Sequence, residues 1–426
     1  MKAELVIKNI GQLVTMAGAP RPRTRNDITG SGIIERGVLV ISGGRIAGVG
    51  KDSILRDFEI QDDTPVIDAR GQCVTPGLVD AHTHAVFYGW REKELALKLK
   101  GYSYMDILKG DGGILNTVRN TRKATEDELV IQGKKSLNRM LAHGTTTIEA
   151  KSGYGLNLEG ELKSLRVLKE LDRTHPIDII PTFLGAHVVP EEYKENKQGF
   201  VDLVINEMIP EVAAQRMAEF CDVFCEEGVF AIEESRDILL AGKKCGLRPK
   251  LHADELVPFG GAELAAELGA ITADHLLCSS DAGIKAMIAR GVIGVLLPGT
   301  SFSLMLDHFA PAVKMLEMGL ALALATDFNP GSSPTESLQI IMNLATIKLK
   351  MTPEEVMTAV TINGAYAAGR GDSAGSLEEG KLGDVVIWDA PNIEFLMYHY
   401  GVNLVDKVIK KGAVVVDGGR VVYETY

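Results

Sequence analysis

The segment Gly77-Leu-Val-Asp-Ala-His82-Thr-His84 places two imidazoles at i and i+2 at the end of an apolar run. Side chains alternate along a strand, so both rings face the same way. Three later apolar runs lead into Lys250-Leu-His252-Ala-Asp-Glu255, Ala273-Asp274-His275 and Ala325-Thr326-Asp327-Phe-Asn329-Pro-Gly331. If those ends converge, three of these imidazoles and one of the carboxylates can share a volume. That donor set suits Zn²⁺ or Fe²⁺ with a position left open for water. A lone His-x-His is more often a pair of unrelated histidines. Here His82, His84, His143, His187, His252 and His275, out of nine histidines in all, lie beside predicted strands, and the joint arrangement points to a metal site.

Convergence needs a scaffold, and the apolar pattern supplies one. Eight short runs, at residues 77–82, 145–150, 179–185, 221–225, 250–253, 271–274, 293–297 and 320–326, read as strands separated by helical patterns. Thr125-x-x-Glu128 is a capping box opening a helix that closes near Gly144, and Thr352-Pro353-Glu354-Glu355 combines an N-cap, an early proline and a third-position glutamate. Leu162, Leu165, Leu168 and Leu171 recur at i, i+3 and form one apolar stripe. The repeats predict a (β/α)8 TIM barrel over residues 76–369, with its site at the C-terminal ends of the strands. Residues 5–10, 37–42, 45–49 and 66–68 read as hairpin strands, as do 384–388, 405–410, 413–416 and 421–424. Neither end alone has enough strands for a stable sheet. The expectation is therefore a small β-sandwich domain built from residues 1–75 plus 370–426, with 14–32 as a long loop within it.

Composition excludes several classes. With 45 Lys+Arg against 57 Asp+Glu, the net charge of −12 argues against nucleic acid as a partner. Hydrophobic residues at 46% and charged residues at 24% describe a chain able to bury a large core. Five scattered cysteines make neither a disulfide framework nor a cysteine-based zinc site, which fits a reducing cytoplasm. The start, Met-Lys-Ala-Glu-Leu-Val-Ile, lacks the unbroken apolar stretch of a signal peptide. No run reaches the ~18 apolar residues that a membrane span requires.

The Pro76-Gly-Leu-Val-Asp-Ala-His-Thr-His84 motif, the later histidines and aspartate, and the split β domain resemble the amidohydrolase superfamily. Six blocks bring the chain close to one branch of it, which opens imidazolone rings in histidine degradation. They are Phe87-Tyr-Gly-Trp-Arg91, Glu149-Ala-Lys-Ser-Gly-Tyr-Gly155, Phe183-Leu-Gly-Ala-His187, Leu251-His-Ala-Asp-Glu255, Thr272-Ala-Asp-His-Leu276 and Ala325-Thr-Asp-Phe-Asn-Pro-Gly-Ser-Ser333. The resemblance covers nearly the whole chain. It implies metal-dependent hydrolysis of the cyclic amide C–N bond of 4-imidazolone-5-propanoate to N-formimidoyl-L-glutamate, by a homodimer acting on a small molecule.

It also implies roles. His82, His84, His252 and Asp327 would hold one divalent ion, Zn²⁺ or Fe²⁺. His275 or Asp327 would take the proton of the attacking water, and His275 can also stabilise the oxyanion. Glu255 would bond the ring N–H and pass a proton to the leaving nitrogen. Arg91 offers a fork for the propionate carboxylate, although an arginine just past a strand is more often solvated or in a structural ion pair. Tyr104, Tyr154 and His187 would contact the ring and its oxygen, and Asn329, Gly331 and Ser332 form a turn able to present donors. Two-metal amidohydrolases commonly bridge their ions with a carboxylated lysine at strand four. Here that strand ends Cys225-Glu226-Glu227, and Lys151 lies at strand two, so a mononuclear centre is expected with Lys151 as a supporting residue. An aromatic-base deaminase would share the metal set, but nucleobases have no carboxylate for Arg91. A non-catalytic scaffold would be expected to have lost a ligand or a proton shuttle, and none is lost.

Overall fold

The computed structural model describes residues 1–28, 32–102 and 112–423. The chain opens with β1 (Leu5–Val14), β2 (Ile33–Ser42), β3 (Arg45–Gly50), β4 (Val66–Asp68) and β5 (Cys73–Pro76). Eight strands follow: β6 (Leu78–Thr83), β7 (Thr145–Lys151), β8 (Asp178–Ala186), β9 (Phe220–Cys225), β10 (Arg248–Ala253), β11 (Thr272–His275), β12 (Ile293–Leu296) and β13 (Leu322–Leu324). The last strands are β14 (Val385–Trp388), β15 (Val405–Lys410), β16 (Ala413–Asp417) and β17 (Arg420–Val421).

Strands β6 to β13 pair in parallel in chain order, with helices between them, as a TIM-like barrel. Every residue of β6, β7 and β9 is buried, the charged side chains of Asp80, Glu149, Lys151 and Asp222 included, so these runs do not alternate between a core face and a solvent face. The intervening helices follow the local signals. Thr125 and Glu128 exchange both bonds of a capping box at the start of helix Glu126–Ala142, and Thr352 and Glu355 do the same before Pro353–Val360. In helix Leu158–Thr174 the predicted leucine stripe is the buried face.

The barrel closes between β13 and β6 through a short seam instead of a full ladder. Asp327 N donates to His82 O at 3.0 Å and His84 N to Phe328 O at 2.8 Å. Below them the Asp80 carboxylate accepts from Thr326 N at 3.0 Å and from Thr326 Oγ1 at 2.6 Å. Burial and the nearby Glu149 push the Asp80 carboxyl up to about 7 despite these bonds.

The terminal strands form one mixed sheet in the order β17-β16-β15-β14-β5-β1-β2-β3, with β4 alongside β1. The N- and C-terminal halves join where β5 pairs antiparallel with β14. Leu5 and Ile7 of β1, Leu39 and Ile41 of β2, Val385 and Ile387 of β14 and Ile409 of β15 share one core. The expected sandwich is thus a single sheet whose halves pack on a common interior. Trp388, fully buried, donates Nε1–H to Thr75 Oγ1 at 2.9 Å and ties the two termini together. Among the described residues, no helix is long and apolar enough to cross a membrane.

Candidate metal centre and active site

Four strand ends deliver the site. At three of them the backbone turns sharply: Asp254, His275, Leu276 and Asp327 all take positive φ, between 51° and 76°. Non-glycine residues rarely adopt this region, and such strain gathers at functional positions. The turns aim His252, His275 and Asp327 toward the histidine pair at the end of β6.

One ring nitrogen from each of His82, His84 and His252 lies within 4.8 Å of the others, and all three residues are buried. His82 Nδ1 is 2.6 Å from Asp274 Oδ2, and His252 Nδ1 is 3.1 Å from Asp222 Oδ1. A carboxylate partner assigns the proton to Nδ1, so Nε2 carries the lone pair. Among the described residues, Nε2 of His82 and of His252 has no hydrogen-bond partner. Asp327 Oδ1 stands 3.5 Å from His82 Nε2 and 3.4 Å from His84 Nε2. Its Oδ2 is fixed by Thr300 Oγ1 at 2.6 Å. Buried lone pairs without donors are costly unless something electrophilic fills the space between them. The donor set of imidazoles plus one carboxylate fits a single divalent cation.

Electrostatics keep most of these rings neutral. Burial, reinforced by neighbouring cationic groups, holds His82, His84 and His187 well below the ordinary histidine range. At His252, burial pulls the same way but the Asp222 carboxylate outweighs it and raises the ring. His275 is pulled down to about 3, chiefly by burial, and neither of its nitrogens has a hydrogen-bond partner among the described residues. Glu255 Oε2 lies 3.6 Å from His275 Nδ1. Burial first and the Asp327 charge second push the Glu255 carboxyl up to about 8.

Beneath the histidines is a fully buried charged floor. Lys151 Nζ meets Glu149 Oε1 at 2.9 Å, Asp222 Oδ2 at 2.8 Å and Asp274 Oδ2 at 3.8 Å. Lys250 Nζ donates to Ala81 O at 3.3 Å and lies 3.7 Å from Glu149 Oε1. Burial alone would depress Lys151, but the carboxylates of Asp222, Glu149 and Asp274 outweigh it and raise it. Cys225 and Glu226 are not in the cluster; Glu226 accepts from the amides of Glu227 and Leu256.

A cavity opens over the cluster, and its lining brings together Arg91, Tyr154, His187, Glu255, His275, Asp327, Asn329 and Ser332. His187 Nδ1 is 3.0 Å from Gly153 O, and its ring stacks on His84 at 5.0 Å between centroids. The Arg91 guanidinium is in a buried ion pair: Nε and Nη2 donate to Glu94 Oε1 and Oε2 at 3.0 and 2.8 Å. The pair orients the arginine without removing it from the cavity wall. Gly331 does not line the cavity but lies directly against Arg91, where a Cβ would fall 2.2 Å from Nη1. The turn at Asn329 is present, yet its donors are engaged within it: Asn329 Oδ1 accepts from Gly331 N at 2.9 Å and Ser332 N at 2.7 Å. Tyr104 lies outside the described residues.

Several residues that shape the site carry no local sequence signal of that role. Asp222 orients a ring nitrogen of His252 from the neighbouring strand, and Asp274 orients one of His82 from across the barrel. Asp254 Oδ1 accepts from the amides of Phe259, Gly260 and Gly261, and Oδ2 from Ala262, which holds the loop bearing Glu255. Glu161 accepts from the amides of Gly153, Gly155 and Leu156 and so fixes the loop bearing Tyr154. The signal that could have found it is a glutamate on the otherwise apolar buried face of helix Leu158–Thr174.

A model of the amidohydrolase family matches residues 115–416. The imidazolonepropionase of Alkaliphilus metalliredigens is 54% identical over 422 residues, covering 99% of this chain and 100% of that protein. That of Shouchella clausii is 54% identical over 424 residues, covering 99% and 95%. Among solved structures, atrazine chlorohydrolase from Arthrobacter aurescens complexed with zinc matches with a TM-score of 0.73 at 17% identity, over 99% of this chain and 97% of that one. An adenosine deaminase from Xanthomonas campestris with bound zinc gives 0.70 at 18%, over 99% and 94%. At such identities the structural likeness is one of fold.

Proposed function

The chain belongs to the imidazolonepropionase family of the amidohydrolases, and from that premise we infer that the cavity above the histidine cluster is where it hydrolyses 4-imidazolone-5-propanoate to N-formimidoyl-L-glutamate. The observation that carries this placement is the set of buried Nε2 lone pairs of His82 and His252, held by Asp274 and Asp222, at the floor of a cavity lined by Arg91, Glu255 and His275.

His82, His84, His252 and Asp327 would hold one divalent ion, Zn²⁺ or Fe²⁺. When bound, such an ion supplies a Lewis acid that polarises the ring carbonyl and lowers the pKa of a water toward neutrality. Arg91, steadied by Glu94, pairs with the propionate carboxylate, and His187 and Tyr154 flank the ring plane. In hydrolysis the water oxygen adds to the carbonyl carbon, the C–N bond of the cyclic amide breaks, and the departing nitrogen gains a proton. His275, neutral at working pH, accepts a proton from the water or donates a hydrogen bond to the oxyanion. Glu255, with its carboxyl pushed up to about 8, holds a proton near neutrality and delivers it to the departing nitrogen. Family resemblance further supports a homodimer and a cytoplasmic location.

Incubation with freshly made 4-imidazolone-5-propanoate tests the reading. The ultraviolet absorbance of the ring should fall as N-formimidoyl-L-glutamate forms in equal amount. Absence of turnover in protein carrying one equivalent of Zn²⁺ or Fe²⁺ would overturn it.

A further inference from the structure

The floor beneath the histidines contains a cation that the chemistry above does not use. Lys151 is fully buried, and its ammonium touches both carboxylates that orient ring nitrogens: Asp222 at 2.8 Å and Asp274 at 3.8 Å. Asp274 contacts Lys151 through Oδ2, the oxygen that lies 2.6 Å from His82 Nδ1. Asp222 presents both oxygens to His252 Nδ1 at 3.1 Å while Oδ2 also meets Lys151. Glu149 Oε1, which accepts from Thr182 Oγ1, anchors the lysine from the other side at 2.9 Å. Without a cation between them, two buried carboxylates that meet at one ammonium from β9 and β11 would repel and turn apart. Lys250 does not replace it, because its nearest carboxylate is Glu149 at 3.7 Å and its proton goes to Ala81 O.

We propose that Lys151 is a positioning residue for the metal centre: by pinning Asp222 and Asp274 together it fixes the orientation of His252 and His82 and presents both Nε2 atoms to one cation. The proposal rests on the reading that these histidines, with His84 and Asp327, hold an ion. Outer partners of metal ligands typically alter metal affinity by 10- to 100-fold, so Lys151 governs how tightly the ion is held without touching it or the substrate.

The test uses the full-length chain stripped of metal and titrated with Zn²⁺ in competition with a chromophoric chelator. Wild type should take up one equivalent; if it takes up none, the reading of the centre fails and the proposal falls with it. Lys151→Met should raise the Zn²⁺ Kd by about 10- to 100-fold with circular dichroism unchanged. It should also alter the visible absorption of the Co²⁺-loaded protein, because the ligand field reports ring orientation. In an Asp222→Asn background, Lys151→Met should add less than it does alone, since the part of its effect that runs through Asp222 is already lost. Lys151→Gln, which keeps an N–H donor, serves if the methionine variant does not fold, and should shift Kd in the same direction. An unchanged Kd and Co²⁺ spectrum with a lowered kcat would overturn the proposal in favour of a direct part in the reaction. Fully additive losses with Asp222→Asn would also overturn it, as would failure of both variants to fold in excess Zn²⁺, which would assign Lys151 to folding alone.

Discussion

Gly331→Ala should strike substrate binding without touching a polar group. The added Cβ would fall 2.2 Å from Arg91 Nη1, 2.3 Å from Cζ and 2.8 Å from Nη2. Reaching ordinary contact at 3.4 Å requires the guanidinium to retreat by about 1.2 Å. A free arginine would swing aside at little cost. Arg91 is only 5% exposed at the side chain and is held by two bonds to Glu94, which itself accepts from Gly113 N at 2.7 Å. The displaced fork then loses register with the propionate. A charge-assisted bidentate pair is worth roughly 1.5–3 kcal/mol, or about a 10- to 150-fold loss in kcat/KM at 1.4 kcal/mol per decade. The contact exists in ground and transition states alike, so the loss should fall mainly on KM. Steady-state kinetics on 4-imidazolone-5-propanoate and on an imidazolone lacking the carboxylate would measure it. The second substrate should be nearly indifferent to the substitution. Equal losses on both substrates, or no change on either, would refute the assignment of Arg91 to the carboxylate.

His252→Ala should abolish both metal binding and activity, because it removes one of three imidazole donors; elemental analysis and turnover check it, and one restored ion per inactive wild-type apo chain should suffice for full activity. Glu255→Gln and His275→Ala should keep their metal and lose about 10²–10⁴ in kcat; metal content falling with either would make that residue a ligand instead. Acid stability should depend on His175, which burial first and Lys134 second pull down to about 3. It accepts from Ile177 N at 3.1 Å and lies 3.1 Å from Asn138 Oδ1, so the folded state favours the neutral ring. Its contribution is full above the unfolded value of ~6.5 and is lost as pH falls from there toward 3. The melting-temperature gap between wild type and His175→Gln should therefore shrink between pH 7 and 4.5, and a gap independent of pH would refute the linkage.

The barrel strands were legible because each is a short apolar run bounded by helical signals, and the capping boxes at Thr125 and Thr352 lie within four residues. The His82–His84 pair is likewise local, since strand alternation alone puts both rings on one side. What escaped was pairing across distance. Nothing near Asp222 in the sequence says that it will meet His252 and Lys151, because that contact exists only once β7 to β10 are assembled in order. Arg91 and Glu94 are three residues apart, and that ion pair was open to a local reading. Gly331 was read as a donor in a turn, whereas the close approach of Arg91 is a steric demand that becomes visible only in three dimensions.

The seam between β6 and β13 also has a temporal meaning. Asp80 and Thr326 are 246 residues apart, and His82 faces Asp327 across the same junction. A chain emerging from the ribosome with its N-terminus first must hold β6 unpaired on one edge until β13 arrives. Long-range closure of this kind is slow and leaves strand edges open to wrong partners. The three imidazoles are complete once residue 252 has emerged, whereas the carboxylate comes only with the last strand. Cation uptake at full affinity would then report the completed ring of strands, late in folding, and a metal-dependent signal could serve as the clock for barrel closure.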